Sequence, residues 1–306
     1  ARELSEGIKQ TSQTVSVNES WSVPSFKIFI PSNFFFFKSI WNNLGFGFNY
    51  TKNFSRSPTT LYASSWQWNF TAQYSYLFAP DNYIQLSKVP IIGNLFELIS
   101  DLKNYRIYYS PSNIGANLTV NRNRATSISR TDPNRPLYQR DFTMGRSFQF
   151  GWKLTEGGFL NPSFNYSINF GSSLAHLETY LDSVKTLSGK DSVFEVQRPE
   201  KEIWKSILSS NFFGRDRDFS QRIEIRTQPR LPSILNPNNF ISLQMGYSVD
   251  YRWQNNFQQV ELGRSASYSN SINFGTSIRW KQIWDPLFKS TSQKQSQPTI
   301  DPRSRG

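Results

Sequence analysis

From Trp66 to Tyr76 the chain alternates without a break. Trp66, Trp68, Phe70, Ala72, Tyr74 and Tyr76 are apolar or aromatic, and Gln67, Asn69, Thr71, Gln73 and Ser75 between them are neutral and polar. Successive side chains of a strand point to opposite faces, so this segment presents one wholly apolar face and one wholly polar face. Strands of soluble proteins run to about 5–6 residues, whereas membrane-spanning strands need about 9–11. Ten steps of about 3.3 Å, tilted by about 40°, rise about 25 Å, the height of the apolar band on an outer-membrane barrel. The bulkiest rings stand at the two ends, where interfacial girdles belong. The spacing predicts an all-β fold: the wall of a transmembrane antiparallel β-barrel.

The same alternation predicts nine strands. They are Thr14 to Val23, Leu44 to Ser55, Trp66 to Tyr76, Asn113 to Asn123, Phe142 to Leu154, Leu160 to Gly171, Phe219 to Thr227, Ile241 to Trp253 and Ser267 to Trp280. Arg146 is the one interruption on the apolar face of the fifth. Thr155-Glu156-Gly157-Gly158, between the fifth and sixth, suits a tight hairpin. Two linkers carry helical spacing. In residues 91–102 the apolar positions are Leu95, Leu98, Ile99 and Leu102. In residues 199–209, Pro199 opens the helix, Glu200 and Glu202 fill its first turn, and Ile203, Trp204, Ile207 and Leu208 form a stripe. Both are expected as short helices packed outside the membrane or at its surface. The organisation is thus a barrel segment over 1–284 with helical insertions near 91–102 and 199–209. A polar tail, 285–306, takes no assignment. With nine strands the linkers 78–112 and 174–215 fall at opposite ends of the wall.

Apolar residues make up only 37% of the 306 positions while aromatics reach 16%, so rings rather than branched aliphatics supply the apolar surface. That suits lipid and its interfaces better than a globular core. No run of 18 apolar residues exists, which excludes helical spans. Cysteine is absent, so neither disulfides nor thiolate metal sites are available. Residues 1–7, ARELSEG, lack the regions of a signal peptide. An envelope protein must be exported, so the chain reads as mature or as a piece of a longer one. The net charge is +12. Arg122, Arg124, Arg130, Arg135 and Arg140 gather around one expected loop, and Arg215, Arg217, Arg222, Arg226 and Arg230 around another. A nucleic-acid groove would interleave cations with aromatics on one platform. Here the two are segregated, so solvated loops or lipid headgroups are the expected neighbours and nucleic acid is not.

Catalysis finds no material. His176 is the only histidine, too little for a triad or a metal cluster. Asp216 and Asp218 alternate with Arg215 and Arg217, which reads as a solvated charged segment. Gly45-Phe46-Gly47 precedes no helix and fails the phosphate-loop context. Asn-x-Ser/Thr sequons at Asn49, Asn53, Asn69, Asn117 and Asn165 are expected in strands built of Asn, Ser and Thr. No catalytic, cofactor-binding or metal-ligating residue is expected.

The stretches YYSPSNIGANLTVNRN, RDFTMGRSFQFGWKLTEGGFLNPSFNYSINF, FFGRDRDFSQRIEIRTQPRLP and SYSNSINFGTSIRWKQIW occur in that order across most of residues 40–284. In them the chain resembles the SprA (Sov) family, giant outer-membrane translocon barrels of the bacterial type IX secretion system. The resemblance implies a barrel of about 36 strands through which folded cargo proteins leave the periplasm, a process tied to gliding motility. It also implies a companion outer-membrane barrel, a periplasmic plug and an inner-membrane motor driven by the proton gradient. Family members are several-fold longer than this chain, and residues 290–306 depart from them. Two other readings stand beside this one. One is another outer-membrane barrel, for lipopolysaccharide assembly or TonB-dependent uptake. The other is a soluble β-rich adhesin, which needs a second layer to cover each apolar face.

Overall fold

The computed structural model describes residues 12–90, 93, 100–185, 191–209, 212–232, 237–255 and 263–281. Nine long strands form one sheet: β1 (Val15–Phe26), β2 (Leu44–Arg56), β3 (Thr60–Leu77), β6 (Asn113–Ser129), β7 (Leu137–Lys153), β9 (Ser163–Ser173), β12 (Arg215–Thr227), β13 (Ile241–Asn255) and β14 (Arg264–Ile278). Five short strands lie in the connections: β4 (Tyr83–Gln85), β5 (Arg106–Tyr108), β8 (Thr155–Glu156), β10 (Thr179–Lys185) and β11 (Asp191–Gln197). One α-helix is described, α1 (Glu200–Ser209).

The order in the sheet is the order in the chain, and every neighbouring pair is antiparallel. This is a meander, the topology of an up-and-down barrel wall. Strands of 18 residues in β3 and 17 in β6 and β7 exceed what a bilayer crossing needs. Register keeps like with like. Leu44, Tyr74, Ala116, Phe148 and Ile168 form one row, and Asn49, Asn69, Asn121 and Thr143 another on the opposite face. A slip of one residue in any pair would turn a strand's rings into the polar face, so alternation itself locks the register. The wall is open: β1 and β14 each pair on one side only among the described residues.

All nine expected strands are present, with shifted ends. β3, β6 and β7 run several residues further than the aromatic alternation, because a strand continues as long as its neighbour pairs with it. Leu160 lies outside β9, and the fifth-to-sixth connection spans 154–162 rather than a tight turn. Its first residues become β8, which pairs with β5 in a three-stranded sheet with β4. Gly157 there has φ +79°, a conformation that side chains resist. The connections 78–112 and 154–162 fall at one end, here the upper, and 57–59, 130–136 and 174–214 at the lower, as the strand count requires.

The arginines need correction. Arg122 and Arg124 lie inside β6, Arg140 inside β7, and Arg215, Arg217, Arg222 and Arg226 inside β12; only Arg130, Arg135 and Arg230 of the two clusters are in connections. Composition marked the segments as basic, but pairing drew them into the ladder. The expected helix over 199–209 is α1, its Glu202 and Ile203 amides bonding to the Pro199 carbonyl. It is not a separate surface helix, because it docks on the sheet. The expected helix over 91–102 lies outside the described residues save Gly93 and a short 3-10 turn at Ser100–Leu102. The tail 285–306 lies outside them too.

Candidate functional site

The polar face of the wall is laced by its own side chains. In one row, Ser22 Oγ donates to Asn49 Oδ1 at 2.5 Å, and Asn69 Nδ2 donates to Asn121 Oδ1. Further along, Asn169 Nδ2 donates to Ser220 Oγ at 3.2 Å, and Ser248 and Ser271 share a bond of 2.7 Å. From β2 to β9 this face is almost entirely Asn, Ser, Thr, Gln and Gly. It is not neutral throughout. On β12 and β13, Arg222 lies 3.6 Å from both Glu224 and Asp250, and Arg226 lies 2.8 Å from Glu224. The charges cancel in pairs, which leaves a weak field along the face.

The apolar face is divided. At its lower end the connection between β9 and β12 folds back over it. The Leu174 amide donates to the Phe142 carbonyl at 2.7 Å, starting the fold-back, and a 3-10 turn over Ala175–Leu177 follows. The hairpin β10–β11 then returns the chain to its own start, where the Arg198 amide meets the Glu178 carbonyl at 2.9 Å. That closure places Glu178 and the first residue of α1, Glu200, side by side. Ile203 and Ile207, one helical turn apart, are buried with Leu174, Leu177, Val120, Phe142 and Met144. Trp204 stacks on Trp68 with ring centroids 6.2 Å apart and planes inclined by 21°. Gly214, with φ +67° and Ser173 O only 2.7 Å from where a Cβ would stand, turns the chain back into β12.

Under this insert sit two arginines with the parity of the rings. Arg122 and Arg124 continue the face of Leu118 and Val120, and in lipid they would be costly there. The insert supplies their partners. Arg122 Nε donates to Glu178 Oε1 at 2.5 Å, and its two terminal nitrogens bond both oxygens of Glu200 at 2.8 and 3.0 Å. Arg124 Nε donates to Glu178 Oε2 at 2.7 Å, and its Nη1 lies 2.8 Å from Glu200 Oε1. Both guanidinium groups also lie over the Trp66 ring. Two cations meet two anions, and the side chains of Arg122 and Glu178 are 2% and 1% exposed. Bidentate geometry satisfies the buried donors, as a desolvated pair requires. Burial pushes the Glu200 carboxyl up, yet hydrogen bonds and charge from Arg122 and Arg124 outweigh it and hold the carboxyl below its usual range.

Arg146 is resolved in the same way. Its Nη2 donates to Ser172 Oγ and Asp216 Oδ1, both at 2.8 Å, and the Phe213 ring lies 4.5 Å from its carbon centre. Asp216 therefore serves Arg146, while Asp218 pairs with Arg217 at 2.9 Å. His176 stands in the 3-10 turn, its pKa lowered first by burial and then by Arg215 and Arg198. Gly45-Phe46-Gly47 is strand. Among the described residues no group of three or more His, Cys, Asp or Glu side chains could hold a metal ion. The network Arg122–Glu178–Arg124–Glu200 was not anticipated. Its signal was there: VNRNR puts two arginines on the apolar parity, and only a partner brought over that face can hold them.

No protein-family model matches the sequence, and no curated protein matches it significantly. Among solved structures, the β domain of the Bordetella autotransporter BrkA aligns over 86% of this chain and 74% of its own, with 7% identity and a TM-score of 0.25. The ferric citrate transporter FecA, in its unliganded form, aligns over 90% of this chain and 40% of its own, with 9% identity and a TM-score of 0.29. The fold itself defines the class: a broad, open piece of antiparallel β-barrel wall with one aromatic and one polar face.

Proposed function

We propose that this chain is part of the wall of a wide outer-membrane barrel that passes proteins, the translocon pore of type IX secretion. The observation that carries the reading is the pairing of the two faces in register. Long strands place a continuous aromatic band opposite a ladder of Asn, Ser and Thr that has neither a catalytic group nor a concentrated charge. A lumen of mostly neutral side chains, with Arg222 and Arg226 paired to Glu224 and Asp250, lets polypeptide surfaces slide past without trapping them. The similarity of strand order to the SprA family supports the same reading and adds its partners: secreted cargo, a companion outer-membrane barrel and a periplasmic plug. The open edges at β1 and β14 would be closed by further strands, because an unpaired strand edge in lipid costs several kcal/mol for each unsatisfied group.

The test is deletion of the full-length gene, followed by comparison of culture medium and periplasm. Cargo bearing type IX export signals should accumulate folded in the periplasm, with small-solute uptake unchanged. Normal secretion with a defect only in nutrient uptake or lipopolysaccharide display would reject the reading and favour another outer-membrane barrel.

A further inference from the structure

Above the cleft that α1 leaves against the wall, lined by Phe48, Phe70 and Trp204, the connection from β1 to β2 makes an aromatic surface of its own. Residues 28–37 read Ile-Phe-Ile-Pro-Ser-Asn-Phe-Phe-Phe-Phe and carry no charge, and Lys38 follows them. Phe29, Phe34 and Phe35 are 73%, 66% and 69% exposed. Rings gathered bare on one short connection mark a surface that something other than water meets. The segment does not stand off the upper rim. Tyr74, on the ring face of β3, donates its hydroxyl to the Ser39 carbonyl at 3.2 Å, and the Trp41 ring lies 6.5 Å from that of Phe46, on the ring face of β2. These contacts lean the segment over the aromatic side of the wall, toward β3 and away from the free edge of β1. Much of its backbone polarity is met from within. The Asn42 side chain accepts from the Ile30 amide at 2.9 Å and donates to the Ile30 carbonyl at 3.1 Å, clamping the two arms together. The Lys38 amide donates to Phe34 O at 3.1 Å, and the Trp41 amide to the carbonyls of Phe36 and Phe37.

Bare rings, a backbone largely bonded to itself and a lean toward the aromatic band suit the boundary between headgroups and acyl chains. We propose that residues 34–37 form an aromatic wedge that inserts into the bilayer surface at the upper end of the band. Its rings dip among the acyl chains, and the exposed Lys38 reaches back to the headgroups. The occupant of this surface is bilayer lipid. A further strand on the free edge of β1 would not cover it, because the segment leans the other way. A soluble partner would have to approach through the lipid that Phe46 and Tyr76 face. The proposal rests on the apolar face meeting lipid, but not on the pore carrying protein.

Spin labels in the intact protein, reconstituted in vesicles of phosphatidylethanolamine and phosphatidylglycerol, test the wedge. Single labels at Phe35→Cys, Tyr247→Cys and Asn69→Cys are compared for collisions with oxygen, which enters acyl chains, and with a nickel chelate, which stays in water. The Phe35 label should favour oxygen, at a depth shallower than Tyr247, while the Asn69 label favours nickel. Adding Phe34→Ser/Phe36→Ser should shift the Phe35 label toward nickel and leave the Tyr247 label as it was. A Phe35 label that favours nickel lies in water, and one shielded from both reagents lies under protein; either result overturns the proposal. So does an oxygen preference that survives the double serine variant, because the rings would then not hold the segment in lipid. The Tyr247 label separates two failures. If it is in water, the lipid-facing reading itself is wrong; if it is in lipid while the Phe35 label is not, only the wedge falls.

Discussion

The apolar face has two halves written in the same alternation but finished differently. Around β3, β6 and β7 it lies beneath the insert, with Phe142 and Met144 1% and 4% exposed. On β13 and β14 the same kind of face is bare, and Tyr268, Ile272 and Phe274 are mostly exposed. The covered half admits charge: Arg122, Arg124 and Arg146 stand at ring positions, each with an acid brought to it. On the bare half, Ile241 to Trp253 carries no charge at ring positions. Apolar parity therefore says which way a residue points, and charge at that parity says where the chain must return to meet it. The cations further in, Arg122 and Arg146, are met by protein rather than lipid, whereas Lys52, Arg140 and Arg264, without an ion pair among the described residues, stand at ring positions nearer the lower strand ends.

The sharpest way to break this comparison is to remove one member of the buried network. Glu178→Gln leaves Arg122 and Arg124 sharing a single carboxylate in a site with almost no water. It should cost about 3–5 kcal/mol and expose α1 to limited proteolysis. Unchanged protection of α1 would mean that the insert is held by its apolar contacts alone. On β7 above the insert, where the face is again open, Phe148→Arg should cost about 2–4 kcal/mol if it lies near the bilayer midplane, read as a lowered unfolding midpoint in detergent or bilayer. Its polar-face neighbour Gln149→Arg should stay within about 0.5 kcal/mol. Equal effects would erase the distinction between the two faces.

Spin labels refine the division. Labels at Phe148 and Tyr247 should report lipid, and labels at Asn69 and Gln149 water. A label at Phe70 should report neither cleanly, because it lines the cleft beneath α1. The smallest effect expected is that of acid on Glu200. Its folded pKa lies below the ordinary value of 4.5, so its contribution is complete above that pH and fades as pH falls through the folded value. Protease protection of α1 should thus hold at neutral pH and weaken modestly below about pH 4.5, modestly because the side chain is half exposed and screened. Loss of protection on raising the pH from 5 to 7 would contradict that sign.

Much of this was legible residue by residue. Trp66 to Tyr76 announced a strand, its two faces and its length, because a period of two is a local property that needs no partner to be read. The helix at 199–209 was legible for the same kind of reason, from Pro199, the two early glutamates and the stripe at Ile203 and Ile207. The strand ends were not, since β3 and β6 extend past their aromatic runs only because each pairs with the other. Arg122 falls at the very end of the strand that alternation predicts and Arg124 just beyond it, and charge density, weighed above parity, assigns both to the neighbourhood of a loop.

The sequence by itself determined the all-β fold, the order of nine strands and the two faces. Each of these rests on alternation or on residue type, and both are carried locally. Only the tertiary structure decided that the connection after β9 folds back on the wall rather than hanging from it. The hairpin β10–β11 sets two glutamates 22 positions apart in the chain beside one another, across from two arginines more than 50 positions earlier. No local pattern encodes such a meeting, because it depends on where a loop lands, and the energy that fixes it appears only once the charges have left water together.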